Sequence, residues 1–273
     1  MTLKDKIAFI PGGSSGIGLA IAQQLFSAGV NVMIFSRDEQ RLTSALAEIE
    51  KFRRYDTTRL DYQQLDVAEI EKVRSVIPEA METLGVPDIL INCAGRSYPR
   101  YFQEISYEQF DETMKINLYG IWNVVSVLFP KMKEKGGHII NVSSVAGIIG
   151  VFGFTDYSAS KFAIIGFSEA LRSESKQYGI KVSVLCPADT ETPAFEVENR
   201  TKPPETAAVS GAGDLFQPEQ IARAVMQSLG KNTFLIIPGF MPKVTYYLKR
   251  FVPGIVEWVT DSIVRKVQKN LKK

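Results

Sequence analysis

Histidine and cysteine are scarce in this 273-residue chain, with one His and two Cys. One histidine, His138, excludes a multi-histidine metal centre. Its place directly after Gly136-Gly137 reads as structural rather than catalytic, and no metal site is expected. Cys93 and Cys186 lie far apart, each in an apolar run. That excludes a disulfide framework and points to a reducing compartment, the cytoplasm. No apolar run approaches the roughly 20 residues of a membrane-spanning helix. The opening MTLKDKIAFI carries charges where a secretory leader needs its apolar core, so no leader is expected. A large charge imbalance is also missing: 32 Lys and Arg face 30 Asp and Glu, which gives no reason to expect nucleic acid as a partner. Repeats, low-complexity stretches and internal linkers are absent before residue 240. What remains is an ordinary globular composition, 45% apolar and 23% charged, at a length that suits one large α/β domain or two small ones.

Strand-like and helix-like segments alternate. KIAFIP, VNVMIFS, RLDYQQLDV, PDILINCAG, GHIINVSS, IKVSVLCPA and TFLIIP read as seven strands. Helical spacing of apolar residues fills the intervals, including a helix opened by Pro218 and a long one from Ser106 through Asn117 to about Lys133. Ser106-x-x-Gln109 has the form of a capping box. Near-continuous apolar strands separated by helices imply a parallel sheet covered on both faces.

FIPGGSSGIGLA joins the first strand to the first helix, with Gly12, Gly16 and Gly18 spaced as G-x-x-x-G-x-G. A glycine turn lets backbone amides approach a phosphate, and the helix N-terminus adds a positive dipole. Ser14 and Ser15 add hydroxyl donors, and Ile17 opens the helix. The same loop also fits a tight turn without ligand, but strand, loop and helix in this order are what a dinucleotide site requires. The second strand ends in Ser36-Arg37, with Arg41 one turn on, where an acid would meet the ribose hydroxyl of NAD. Guanidinium groups suit a 2′-phosphate, so the expected cofactor is NADPH/NADP+.

Tyr157 and Lys161 stand one helical turn apart in TDYSASKFAIIGFSEALRSE. Alone, such a pair also fits a solvated lysine beside a half-buried tyrosine. With GGSSGIG, LDV at Asp66, NCAG at 92–95, KIN ending at Asn117, NVSS at 141–144 and YSASK at 157–161, the chain resembles the short-chain dehydrogenase/reductase family from about residue 6 to 237. The resemblance implies a doubly wound Rossmann-type α/β fold, a seven-stranded parallel sheet with helices on both faces. It also implies a ketone reductase, and a homo-oligomer is expected. Its implied catalytic set is Asn117, Ser144, Tyr157 and Lys161, with Ser143 the alternative serine. Asp66 and Val67 would meet the adenine, Asn92, Ala94 and Gly95 would line the cofactor, and Pro187, Thr190 and Thr192 would hold the nicotinamide end. Tyr157 and Lys161 would serve the cofactor side as well. A nearby ammonium is expected to lower the tyrosine pKa, and Asn117 to bend its helix and hold a water that passes protons to Lys161. Two positions depart from the family pattern: Pro11 stands where threonine is usual, and Pro187-Ala188 where Pro-Gly is usual.

PADTETPAFEVENRTKPPET at 187–206, FGFTDYSASKFA and DSIVRK look like the corresponding stretches of the 3-ketosphinganine reductases, a group within that family. This implies a long-chain keto-lipid substrate, reduced with NADPH in sphingolipid synthesis, under a lid at about 190–216. Phe152, Phe154, Phe195 and Phe216 are candidates for lining an apolar tunnel or for ordinary packing. A different ketone, such as a 3-oxoacyl thioester or a steroid, is the alternative substrate, and a non-catalytic NADP(H)-sensing scaffold is a more remote one. Residues 1–240 read as a single domain. The extension 241–273 carries eight Lys and Arg against two acids, a net +6 that leaves −4 for the rest. Its apolar residues, Val244, Tyr247, Leu248 and Phe251, then Val256, Val259, Ile263, Val267 and Leu271, keep helical spacing. Basic amphipathic helices suit the surface of an anionic membrane, and equally packing on the domain or on a partner subunit.

Overall fold

β-branched and aromatic runs, each too apolar to face water on either side, set the strands of the sheet. These are β1 (Ile7–Pro11), β2 (Asn31–Ser36), β3 (Leu60–Gln64), β4 (Ile89–Asn92), β5 (Gly137–Val142), β6 (Ile180–Leu185) and β7 (Leu235–Ile236). The structure, a computed structural model, describes residues 3–211 and 213–272. All neighbouring strands pair in parallel, in the order β3-β2-β1-β4-β5-β6-β7. Successive residues alternate between two cores. Ala8, Ile10, Val32, Ile34 and Ile89 face one, and Phe9, Met33, Phe35 and Leu90 face the other.

Helices cover both faces. α1 (Gly16–Ser27), α2 (Glu39–Glu50) and α9 (Pro218–Ser228) bury Ile21, Leu25, Leu42, Ile49, Ile221 and Val225 in the first core. α3 (Ile70–Leu84), α5 (Gly120–Lys135) and α6 (Thr155–Ser175) bury Val73, Ile77, Val124, Leu128 and Ile164 in the second. The doubly wound seven-stranded fold expected from the alternation is the fold observed. Strand order reverses direction at β1, which pairs with β2 on one side and β4 on the other. A crevice therefore opens at the carboxyl ends of β1 and β4.

Three local expectations are corrected. The single long helix is α4 (Tyr107–Met114), a π-helical segment at Lys115–Tyr119, and α5. One extra residue per turn shifts the face that Asn117 presents without breaking the helix. At the start of α4 only half of the capping box forms. Ser106 accepts from the Gln109 backbone, while the Gln109 side chain is drawn to Tyr98 O and Asp156. The reciprocal box occurs instead at Gln217 and Gln220, before α9. Finally, β7 is only two residues long, since it lies at the sheet edge and pairs only with β6.

Beyond β6 the chain forms α7 (Pro193–Asn199) and α8 (Pro204–Ser210), then α9 and β7, then α10 (Phe240–Phe251) and α11 (Pro253–Leu271). α11 packs against α8 and α10. α8 is tied down by Thr206, whose hydroxyl donates to Phe152 O, and by Glu205, which accepts from the Tyr101 hydroxyl. His138 lies buried on β5, with Nε2 2.8 Å from Ser183 Oγ. Burial pushes its pKa down to about 4, and it stands outside the cavity described below.

Asp88 locks the amino-terminal strand to the sheet. It receives Lys6 Nζ, Lys135 Nζ and the Ile7 amide, each at 3.0 Å. Burial opposes its charge, but these three donors outweigh it and hold the carboxyl below the usual aspartate range. An aspartate with a depressed folded-state pKa stabilises above its unfolded pKa and loses that contribution as pH falls through the folded value. Asp88→Asn is expected to cost about 1–2 kcal/mol at neutral pH. In chemical denaturation the difference from the natural protein should close as the pH is taken below that of an ordinary carboxyl.

Candidate active site

A cavity of about 740 Å³ occupies the crevice and runs from the glycine loop to the two carboxy-terminal helices. At one end it is lined by Gly12, Ser14, Ser15, Gly16, Ile17 and Gly18. Glycine is required here by contact as well as by conformation. Gly12 has φ 81°, and a Cβ on it would lie 2.5 Å from the Ala94 amide nitrogen. A Cβ on Gly18 would lie 2.2 Å from Gly12 O. Ser15, the N-cap of α1, makes no capping bond, and no acid stands in the first turn. The leading amides of α1 are thus left open to an anion, which suits a pyrophosphate. Pro11, in place of the usual threonine, costs the sheet nothing visible. Its carbonyl accepts from Cys93 N, and the next amide, Gly12 N, donates to Phe35 O.

Arg37 and Arg41 line the same end. Arg41 Nε is 3.3 Å from Asp38 Oδ2, whereas Arg37 is exposed and forms no ion pair among the described residues. An unpaired guanidinium at the tip of β2 is what a 2′-phosphate requires. Asp66 and Val67 form the opposite rim. Asp66 Oδ1 accepts from Ala68 N, so the carboxylate is fixed. Ala94 and Gly95 continue the wall, but Asn92 does not reach it. Its amide donates to Asn141 Oδ1, and Asn141 donates to Ser168, in a buried chain between β4, β5 and α6.

Ser143, Ser144, Tyr157 and Lys161 meet at the centre. The two serines divide. Ser143 Oγ is committed to the carbonyl of Lys161 at 2.8 Å. Ser144 accepts from Ala146 N and lies beside the Tyr157 phenol. Lys161 is 4% exposed, with Nζ donating to Val142 O at 3.0 Å and lying 5.4 Å from the Tyr157 ring centre. Burial lowers its pKa to about 8. Tyr157 moves the opposite way to the sequence expectation. Burial first, then the negative charge of Glu198, push it well above an ordinary phenol; a hydrogen bond from Ser144 opposes them, and Asp189 adds to the rise. Lys161 is turned toward Val142 O and does not set the balance.

Asn117 is buried behind the wall rather than in it. Its Oδ1 accepts from Arg96 N, and its Nδ2 donates to Arg96 O and Ser160 Oγ. With both ends of the amide engaged, it braces the loop after β4 against α6. Pro187, Thr190 and Thr192 do line the cavity. Thr192 caps α7 by accepting from Phe195 N, and Thr190 donates to Ala188 O. Of the four phenylalanines, Phe154 and Phe195 line the cavity. Phe152 stacks edge-on against Tyr101, and Phe216 sits in the core under Gly239.

A sequence model described as short chain dehydrogenase matches residues 6–203. The chain belongs to the short-chain dehydrogenase/reductase family. Within it, the 3-dehydrosphinganine reductase of Danio rerio is 42% identical over 82% of this chain and 68% of its own length. The 3-ketodihydrosphingosine reductase of Bos taurus is 39% identical over 94% of this chain and 85% of its own length. Among solved structures, a variant of actinorhodin polyketide ketoreductase with NADPH superposes with a TM-score of 0.76 at 28% identity, over 86% of this chain and 96% of that one.

Several lining residues of this family member were not anticipated from the sequence. Arg96, Ser97, Asp189 and Glu198 face the cavity, and so do Val244, Leu248, Val256, Val259 and Ile263 from α10 and α11. The helical spacing of the last five was legible, but what they cover was not. Cys93 also lines it, with burial pushing its thiol up to about 12, so it stays protonated.

Arg37→Asp removes the unpaired guanidinium and places a like charge against a phosphate. NADPH affinity measured by titration calorimetry is expected to fall about 10-fold or more, with NADH affinity maintained or improved. Unchanged NADPH affinity would remove Arg37 from the cofactor site.

Proposed function

We propose that the protein reduces the 3-keto group of 3-ketosphinganine to give sphinganine, with NADPH as reductant and Tyr157 as proton donor. The observation that carries this is one continuous cavity. An anion-ready glycine loop forms one end, Tyr157, Ser144 and Lys161 the middle, and an apolar compartment walled by Phe154, Phe195, α10 and α11 the other. The names of the relatives from Danio rerio and Bos taurus support the same substrate.

Bound NADPH supplies a hydride to the carbonyl carbon. The carbonyl oxygen then carries the negative charge and needs a proton. Tyr157 O–H gives it, becoming phenolate. Its raised pKa keeps the proton in place until the alkoxide, a stronger base, develops. Ser144 Oγ–H donates a hydrogen bond to the same oxygen as charge builds. Lys161, held by Val142 O, stabilises the phenolate that remains and the proton is returned from solvent. Ser143 fixes the backbone of Lys161, and Asn117 fixes that of Arg96, so both act as positioning residues.

Peripheral contact with an anionic membrane belongs to the same reading, because the substrate is a lipid. No helix among the described residues is long and apolar enough to cross a membrane. α10 and α11 nevertheless turn Phe240, Tyr247, Phe251 and Trp258 outward, with Phe251 75% and Trp258 67% exposed. These rings accompany the eight basic residues of the extension. Rings of this kind enter the headgroup region while lysines meet anionic lipid. A second exposed apolar strip, Tyr119 just before α5, Trp122 on α5 and Phe162 on α6, supports self-association into a homo-oligomer.

Purified protein should consume NADPH with 3-ketosphinganine faster than with a 3-oxoacyl thioester. Tyr157→Phe should reduce turnover by about 10²–10⁴-fold while NADPH still binds. The Lys161 ammonium is present below about pH 8 and lost above it. The rate should therefore decline on the alkaline side of that value, and Lys161→Arg should move the decline to higher pH. Near-normal turnover in Tyr157→Phe would refute the mechanism.

The membrane reading has its own measurement. The protein should co-sediment with vesicles containing anionic phospholipid at low salt and release at high salt. Phe251→Ser with Trp258→Ser should abolish co-sedimentation and leave NADPH affinity unchanged. Sedimentation that survives the double substitution, or never occurs, would overturn it.

A further inference from the structure

Three charged side chains form a compact group where the wall of the cavity passes from α7 toward α8. Lys202 Nζ lies 2.8 Å from Glu198 Oε1 and 3.7 Å from Asp189 Oδ2. The lysine side chain is only 5% exposed and that of Glu198 13%. Two carboxylates share one ammonium, so the group is one positive charge short of neutral. An uncompensated buried charge is costly unless a further cation arrives. Glu198 Oε1 is enclosed against the Lys202 ammonium, its one cation among the described residues. Ser97 Oγ is enclosed beside Glu198 and has no other partner among the described residues. Buried polar groups in folded proteins are normally satisfied. Here a carboxylate pair with a single cation, and a serine hydroxyl beside it, belong to residues that line the same cavity as Tyr157.

The proposed substrate is a 2-amino ketone with a hydroxyl at the adjoining carbon. Its ammonium sits on the carbon next to the carbonyl, within about 3 Å of the oxygen that Tyr157 must reach. A counter-ion must therefore face the cavity near Tyr157. Four acids line the cavity: Asp66 belongs to the adenine rim, Asp214 is exposed, and Asp189 and Glu198 remain. The other cation near this wall, Arg96, is already paired with Glu112. We propose that Glu198, backed by Asp189 and flanked by Ser97, receives the substrate ammonium, with Ser97 Oγ bonding the adjoining hydroxyl. The site thus distinguishes a 2-amino ketone from a plain long-chain ketone. Electrostatics adds a consequence: burial raises the Tyr157 pKa most and the two carboxylates raise it further, so an ammonium that neutralises their part strengthens the acid when the correct substrate binds.

The inference rests on the 3-ketosphinganine reading, and the experiment separates the two. Binding of sphinganine, and of the same chain without its amino group, is measured by calorimetry on the NADP+ complex. kcat/KM is measured for the two corresponding ketones. The natural protein is expected to favour the amino compounds by about 10- to 100-fold in both assays. Glu198→Gln should collapse that preference by weakening only the amino compounds, with the affinity of the des-amino chain and of NADPH unchanged. Glu198→Asp should restore part of it. Equal handling of both chains by the natural protein overturns the proposal. So does an equal loss of both in Glu198→Gln, which would mark a structural role in the lid. If neither ketone is turned over, the substrate reading falls. Binding then decides the ammonium site by itself, upheld if amine preference disappears in Glu198→Gln and overturned otherwise.

Discussion

A buried ammonium without a carboxylate partner governs the arrangement around the reacting centre. Lys161 is almost fully enclosed, and its Nζ is held by a backbone carbonyl, Val142 O. Such a group survives only where its surroundings cannot relax. The surroundings are accordingly fixed by bonds that look unrelated to chemistry. Ser143 holds the Lys161 carbonyl, and Gly147 lets the chain pass so close that a Cβ would lie 2.4 Å from Ser143 Oγ. Asn117 reaches Ser160 on one side and Arg96 on the other, and Ser160 returns to Tyr157 O. The π-helical segment at Lys115–Tyr119 is what turns the Asn117 amide toward both partners.

The sheet ties this centre to the glycine loop. β4 and β5 end at Asn92 and Val142, so the loops carrying Gly95 and Ser144 emerge side by side. The Asn92–Asn141–Ser168 chain supplies the polar spine that keeps those strand ends in register with α6. Asn92 therefore acts through the sheet rather than on the cofactor side of the wall. The NCAG motif combines two tasks, a structural asparagine and a small-residue wall at Ala94 and Gly95.

Much of this was legible in the sequence because it depends on local rules. Alternation of apolar runs with helical spacing gave the seven strands and the doubly wound sheet. Glycine spacing placed the phosphate loop, and Tyr157 and Lys161 came together because four residues make a helical turn. What was hidden depends on tertiary juxtaposition. The direction of the Tyr157 shift could not be read from its neighbour Lys161, since burial by the folded chain dominates it and the charges that add to it come from Glu198 and Asp189, on another segment. Asn117 looked free because nothing in KIN shows that the Arg96 backbone will claim both ends of its amide. Gln109 failed to complete its capping box for the same reason, drawn off by Asp156 of a distant helix.

The match to the family ends at residue 203, yet the far wall of the cavity is built by Val209 and Ser210 of α8, by α10 and by α11. The reacting centre thus lies wholly within the matched portion, while much of the roof over the lipid end follows it in the chain, alongside Phe154 and Phe195 from within the match. In this arrangement diversification toward other bulky ketones needs no change at Ser144, Tyr157 or Lys161, only a different pair of helices laid across the same opening.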